Sequence, residues 1–369
     1  MNWQSELGSD LLGAAFVASS VVLIFVVCEF IYGRRGADVE YTRKISHLGG
    51  GFVVLALPWC VSSPWVVWGL ACAMGGFLYV GRRFGRLRSI HGVKRTTHGA
   101  YFYPLAVALV FHLSDGNPVL FCLPIVIMAV ADTGAALMGK ESGATRYRVI
   151  DGERSLEGSA AFFGLSFAIV LLGLALAEAS HWPDALLVAM VVAIMTTAVE
   201  AISLRGSDNI LIPYVGWLVL ERSLRLGLNE LSAWMVGMLT ALVLLVATYH
   251  RARLTIAGAV ASFVLISFAY ALAGPMWLLP LIGLYGLHLV VSNPSRPLDY
   301  DLILPATAAS LLVLLLYAHT QYASLYLPYL MTVAIGAGLA VYRPRSLNSM
   351  SAAPALALLG GGICWMAIT

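Results

Sequence analysis

The most chemically loaded part of this sequence joins two apolar runs. The first ends in Ala131-Asp132-Thr133-Gly134-Ala135-Ala136-Leu137-Met138-Gly139-Lys140-Glu141-Ser142-Gly143. A polar stretch follows, and then Gly152-Glu153-Arg154-Ser155-Leu156-Glu157-Gly158-Ser159 opens the next run. An aspartate inside such a run costs a few kcal/mol on insertion scales, so it is kept for a reason. Asp132 would hold Mg²⁺ on a nucleotide phosphate, since that ion takes hard oxygen ligands. The plainer reading pairs it with an arginine to seal helix ends.

The Gly139-Lys140-x-x-Gly143 stretch reads as a turn that wraps phosphate, with glycines for close approach and Lys140 as a point charge. The plainer reading is a helix C-terminus ending on glycine and lysine. Ser155 to Ser159 sits where a span begins, and helix N-termini attract anions. Arg154 would reinforce that attraction. Glu157 would oppose it unless a metal stands between, which makes Glu157 a candidate metal ligand. Simple capping by Ser155, with Glu157 against the helix dipole, accounts for the same residues.

Arg43-Lys44-x-x-His47 puts three basic groups at a helix start, suited to phosphate or a lipid headgroup, and His47 could serve as general base on an alcohol. Anchoring by positive charge is the alternative. Glu200 lies near a membrane boundary and needs a partner, for which Mg²⁺ would serve. Asp208 adds a further carboxylate, or merely caps the next helix ahead of Pro213.

These groups must be positioned by membrane spans. Of the 369 residues 60% are hydrophobic and 11% charged, and the mean hydropathy is +0.86. A soluble domain carries about 25% charged residues. Apolar runs of about 16 to 23 residues suit a hydrocarbon core of roughly 30 Å and are too long for barrel strands. The expected fold is therefore all-α, a polytopic bundle. Apolar segments fall at 11–33, 46–61, 64–81, 99–113, 117–138, 158–179, 184–203, 210–226, 231–248, 254–273, 276–291, 302–318, 323–342 and 353–368, about fourteen in all. Those at 46–61 and 210–226 are the least pronounced.

All of the 22 lysines and arginines except Arg222 and Arg225 fall in alternate loops. The positive-inside rule then puts the N-terminus outside and the loops 34–45, 82–98, 139–157 and 204–209 in the cytoplasm. Residues 1–10 hold Glu6 and Asp10 but no basic residue, unlike a signal peptide, so the first span is expected to be retained. The loop at 82–98 has six basic residues with His91 and His98, suited to anionic lipids at the membrane surface. Tyr101, Phe102 and Tyr103 read as an interfacial belt. The five cysteines form no CxxC pair, which argues against disulfides and cysteine-bound metal. A net charge of +3 gives no case for a nucleic-acid partner.

Together the candidates put acids, bases and glycines on one membrane face, the pattern phosphoryl transfer needs. Asp132-x-x-Ala135-x-x-x-Gly139-x-x-x-Gly143, then Arg154-Ser155-x-Glu157-Gly158-Ser159, resembles the CTP-dependent lipid kinase group of phytol, dolichol and diacylglycerol kinases. That group is related to CDP-diacylglycerol synthase, whose shared motif reads Lys-Thr-x-Glu-Gly. Arg43-Lys44-x-x-His47 is similar to the group's Arg-Lys-x-x-His. Glu200 followed by Asp208-Asn209-x-x-x-Pro213 is similar to the Glu…Asp-Asn-Leu-x-x-Pro of phytol kinases, and Thr97-x-Gly99-x-Tyr101-Phe102-x-Pro104-Leu105 has a kinase-like character. Arg154 departs from the usual lysine, and Ser207 from a common second acid.

The resemblance spans roughly residues 35–226. It implies a catalytic membrane domain at 35–226, which follows a first helix at 1–34 and precedes additional transmembrane spans at 227–369 about which it says nothing. It implies CTP as donor, Mg²⁺ as cofactor and a lipid alcohol as acceptor, an isoprenoid alcohol ahead of diacylglycerol, on the cytoplasmic face of a bacterial inner or plasma membrane. Asp132, Glu157, Glu200 and Asp208 would hold metal or orient the hydroxyl. Gly139, Lys140, Gly143, Arg154, Ser155, Ser159, Arg43 and Lys44 would cradle phosphate, and His47 would activate the alcohol. A CDP-lipid synthase is the alternative, although its His-Gly-Gly-x-x-Asp-Arg-x-Asp signature is absent. A transporter is the third reading, and it would place polar groups at mid-membrane.

Overall fold

The computed structural model describes residues 3–35, 39–91, 97–149, 152–252, 254–291, 310–318 and 320–341. The helices are α1 (Trp3–Arg35), α2 (Val39–Val54), α3 (Leu57–Cys60), α4 (Pro64–Arg83), α5 (Arg88–His91), α6 (Gly99–Leu113), α7 (Pro118–Val126), α8 (Asp132–Ser142), α9 (Leu156–Leu176), α10 (Trp182–Ile202), α11 (Asp208–Arg225), α12 (Leu228–Ala252), α13 (Ile256–Ala273), α14 (Leu279–Val291) and α15 (Tyr326–Val341). Residues 310–318 are also helical. A π-helical turn, Ile127–Ala131, joins α7 to α8.

The architecture is all-α and polytopic. Among the described residues, Glu6–Arg34, Pro64–Arg83, Pro118–Ser142, Leu156–Leu176, Trp182–Ile202, Leu228–Ala252 and Ile256–Ala273 are long and apolar enough to cross a membrane. They correspond to the sequence segments 11–33, 64–81, 117–138, 158–179, 184–203, 231–248 and 254–273. Gly99–Leu113, Pro275–Gly286 and Ala323–Ala334 are shorter apolar helices. Segment 353–368 and residues 302–309 lie outside the described residues, as do Lys94, Arg95, Arg253, Arg296, Arg343 and Arg345.

Two local expectations are corrected, and one pair of alternatives is decided. The segment at 46–61 is two helices, and the first begins at Val39, so Arg43, Lys44 and His47 lie inside α2 rather than ahead of it. Gly49, Gly50 and Gly51 do not break α2, because it packs on α1 and on the π turn. A Cβ at Gly51 would stand 2.5 Å from the Ala129 Cβ, so only glycine permits that approach. Second, the helix C-terminus is the reading the structure has: Gly139 and Lys140 belong to the last turn of α8, and Gly143 caps it. Third, the 144–155 stretch contains a two-stranded hairpin, Arg146–Val149 with Gly152–Ser155. The alternation of arginine with Tyr147 and Val149 suits a strand exposed on one face.

The chain divides into two compact units, Met1–Arg146 with Glu153–Gly227, and Tyr147–Gly152 with Leu228–Thr369. In the first, α8, α9, α10 and α11 pack successively, and α6 lies against α4 and α11. The π turn is central, touching α2, α9 and α11. Ile127, Met128, Ala129 and Ala131 are buried there, as are Ala189, Val192 and Ala193 of α10. Caps fix the helix starts. Asn117 Oδ1 accepts from Val119 and Leu120 N–H ahead of α7, with Pro118 at the first helical position. The buried Asp10 carboxylate of α1 accepts from Ser62 and Ser63 N–H at 2.9 and 2.8 Å, fixing the start of α4. In the second unit, Trp277 packs edge-on and tilted among Tyr317, Tyr326 and Tyr329.

Candidate active site

Lys44 and His47 are three residues apart on α2, so they share a face. That face meets the junction of the π turn and α8, where Asp132 begins the helix. Lys44 Nζ donates to Asp132 Oδ2 at 2.6 Å and reaches the Asp132 carbonyl at 3.4 Å. The two side chains are 13% and 10% exposed, so this is a largely dry ion pair. His47 Nε2 donates to the Met128 carbonyl at 2.9 Å and stands 3.7 Å from Asp132 Oδ2. A π turn often marks a functional site, and here its Met128 carbonyl receives the histidine. Since Nε2 carries the proton in that bond, a neutral His47 could accept a proton only at Nδ1.

Tyr103 of α6 completes this corner. Its hydroxyl donates to the His47 carbonyl at 3.2 Å, and its ring meets the imidazole edge-on with centroids 4.9 Å apart. By sequence Tyr103 reads only as a belt residue; apolar neighbours on both sides conceal a hydroxyl that reaches across to α2. Arg43 turns away to Glu40 at 3.1 Å.

A second ion pair joins the hairpin to α10. Arg154 bonds Glu200, whose side chain is 4% exposed. The pairs belong to one charge cluster: Arg154, Asp132, Asp208 and Lys44 all act electrostatically on Glu200, and Arg154 also acts on Asp132. Asp208 opens α11, with its Oδ1 accepting the Asn209 N–H at 3.0 Å, and its charge reaches His47. The structure therefore brings Lys44, His47, Asp132, Arg154, Glu200 and Asp208 together.

The remaining candidates lie around the start of α9. Ser155 Oγ accepts from Gly158 N–H at 3.1 Å, capping the helix. A Cβ at Gly139 or at Gly143 would stand 3.0 Å from that same oxygen, so these glycines let α8 lie against the cap. Ser159 follows one turn into α9, and Lys140 is exposed. Glu157 Oε1 accepts from Thr145 N–H at 3.0 Å. Its Oε2 is buried with no hydrogen-bond partner among the described residues, as is Thr133 Oγ1 beside Asp132. Among the described residues no three His, Cys, Asp or Glu side chains form a metal-holding group.

No family model matches the chain, and no solved structure matches it. It is similar to a curated phytol kinase from Synechocystis sp., at 29% identity over 204 residues, 55% of this chain and 87% of that enzyme. The chain is a homologue of that phytol kinase, which supports the lipid kinase group at family level.

Proposed function

We propose that this membrane protein is a lipid-alcohol kinase that moves the γ-phosphate of CTP to the hydroxyl of a membrane-embedded isoprenoid alcohol. The new bond joins the alcohol oxygen to the γ-phosphorus. The bond from that phosphorus to the β,γ-bridging oxygen breaks, CDP leaves, and the hydroxyl proton is lost. The observation that carries this reading is the joining of motifs far apart in sequence, from α2, α8, the hairpin, α10 and α11, into one charge cluster built on two ion pairs. The similarity to phytol kinase supports a lipid-alcohol acceptor. CTP rather than ATP rests on the motif resemblance, and the cytoplasmic face rests on the alternation of basic loops.

Phosphoryl transfer is mainly positioning and charge neutralisation. Lys44 and Arg154 supply fixed positive charge, each oriented by its carboxylate. Asp132 and Glu200 thus act through those cations. Mg²⁺ is usually held by one or two carboxylates together with phosphate oxygens and water, rather than by an all-protein cage. Glu157, through its unpartnered Oε2, and Asp208 fit that role. Such an ion would neutralise charge on the β- and γ-phosphates. His47, braced by the Met128 carbonyl and Tyr103, holds the α2 face in register with Asp132.

The test is incubation of purified protein with γ-labelled CTP or ATP and a panel of phytol, geranylgeraniol, polyprenol and diacylglycerol. CDP release with a labelled isoprenoid phosphate is expected. Pyrophosphate release with a CDP-lipid would overturn the kinase reading in favour of a cytidylyltransferase.

A further inference from the structure

The turn between α10 and α11 is fastened to the start of α6 by contacts that the roles above do not use. Arg205 and Gly206 have φ of 47° and 87°. That conformation disfavours a residue with a Cβ, so Arg205 must be held in it. Its carbonyl accepts from the His98 N–H at 2.9 Å and from Thr97 Oγ1 at 3.3 Å. Gly206 presses on α6: a Cβ there would stand 2.5 Å from Gly99 N and from Thr97 Oγ1. Gly99 presses back, since its own Cβ would stand 2.8 Å from Asn209 Nδ2. Asn209 closes the clasp, donating from Nδ2 to the Gly99 carbonyl at 2.9 Å.

Asp208 and Asn209 are consecutive in the first turn of α11, so their side chains diverge by about 100°. One serves the charge cluster while the other grips α6. We infer that Asn209 is a positioning residue for phosphoryl transfer, whose amide locks the 204–209 turn onto α6 and so fixes the direction in which Asp208 presents its carboxylate. An amide is required because the partner is a carbonyl: a carboxylate at 209 would set acceptor against acceptor. The inference rests on the reading of Asp208 as a ligand for nucleotide-borne Mg²⁺.

The experiment uses full-length protein in nanodiscs. It measures the Mg²⁺ concentration giving half-maximal turnover, kcat at saturating Mg²⁺, and the thermal midpoint, for Asn209→Asp, Asn209→Ala and Asp208→Asn. Losing one hydrogen bond should raise half-saturating Mg²⁺ about tenfold in both Asn209 variants, with a much smaller fall in kcat. An unchanged Mg²⁺ requirement with a lowered midpoint would reduce Asn209 to a structural residue and overturn the inference. If the Asn209 variants do not fold, Thr97→Val loosens the same clasp and should raise half-saturating Mg²⁺ about threefold; no change there overturns the inference as well. Asp208→Asn separates the two failures. Wild-type Mg²⁺ dependence in that variant defeats the metal-ligand reading itself. A raised requirement there, with Asn209 variants like wild type, defeats only the positioning role.

Discussion

Replacing both members of the Lys44–Asp132 pair should cost less than the two single replacements added together. The charges are 2.6 Å apart and nearly dry. At an effective dielectric of about 20 their attraction is about 6 kcal/mol, most of it offset by desolvation. Lys44→Met strands a buried carboxylate, and Asp132→Asn strands a buried ammonium. Each should destabilise the fold by about 3–5 kcal/mol. The double variant strands neither, so its loss should fall short of the sum by about 2 kcal/mol or more. Equilibrium unfolding in mixed micelles, run as a double-mutant cycle, measures this directly. On the proposed reading turnover in all three variants should be lost, because none keeps the Lys44 ammonium held by Asp132 at the proposed phosphate site. Additivity within about 0.5 kcal/mol would refute the coupling, and Asp132→Asn with undiminished turnover would refute the placing of the site.

Glu200→Gln keeps the shape but removes the charge that orients Arg154, so kcat/KM for nucleotide should fall about 10- to 100-fold, the value of a charge-assisted hydrogen bond, in steady-state kinetics. Tyr103→Phe deletes one hydrogen bond but retains the ring against His47. Unfolding measurements should find a loss of about 1 kcal/mol, with kcat nearly unchanged. Gly51→Ala drives a methyl into Ala129 and should destabilise by about 1–3 kcal/mol, read as a lowered thermal midpoint.

The long helices were legible because an uninterrupted apolar run of membrane length has few other solutions. Asp132 and Glu200 were legible as anomalies within such runs. Their partners were not: either acid could have paired with metal, with arginine or with lysine, and only the packing of α2 on the π turn selects Lys44 for Asp132. The π turn itself left no mark, since Ile127-Met128-Ala129-Val130-Ala131 reads as ordinary apolar helix. The start of α2 at Val39 was hidden because Arg43 and Lys44 look like a loop until Asp132 is found opposite them. Gly139 and Gly143 illustrate the converse: visible as unusual residues, they lie where α8 meets the Ser155 cap. The hairpin was missed because short strands among charged residues carry a weak signal beside such strong helical ones.

Charge balance adds a constraint that no single residue carries. Within the cluster Lys44 and Arg154 face Asp132, Glu200 and Asp208, leaving the carboxylates in excess. A nucleoside triphosphate is strongly anionic, so an uncomplexed one would meet repulsion there. The same cluster would welcome a divalent ion, and a nucleotide carrying Mg²⁺ on its phosphates is less anionic and presents that ion to the carboxylates, so the repulsion falls. Binding of the metal-free nucleotide should therefore be much weaker than binding of its Mg²⁺ complex, and chelator should abolish turnover until Mg²⁺ is restored. The thermal midpoint without nucleotide should barely respond to chelator, because one or two carboxylates do not make a folding-dependent cage. Calorimetry with CTP, with and without Mg²⁺, separates the alternatives. Equal affinity in the two titrations would mean that Lys44 and Arg154 bind phosphate unaided, and that Asp208 and Glu157 have some role other than holding the ion.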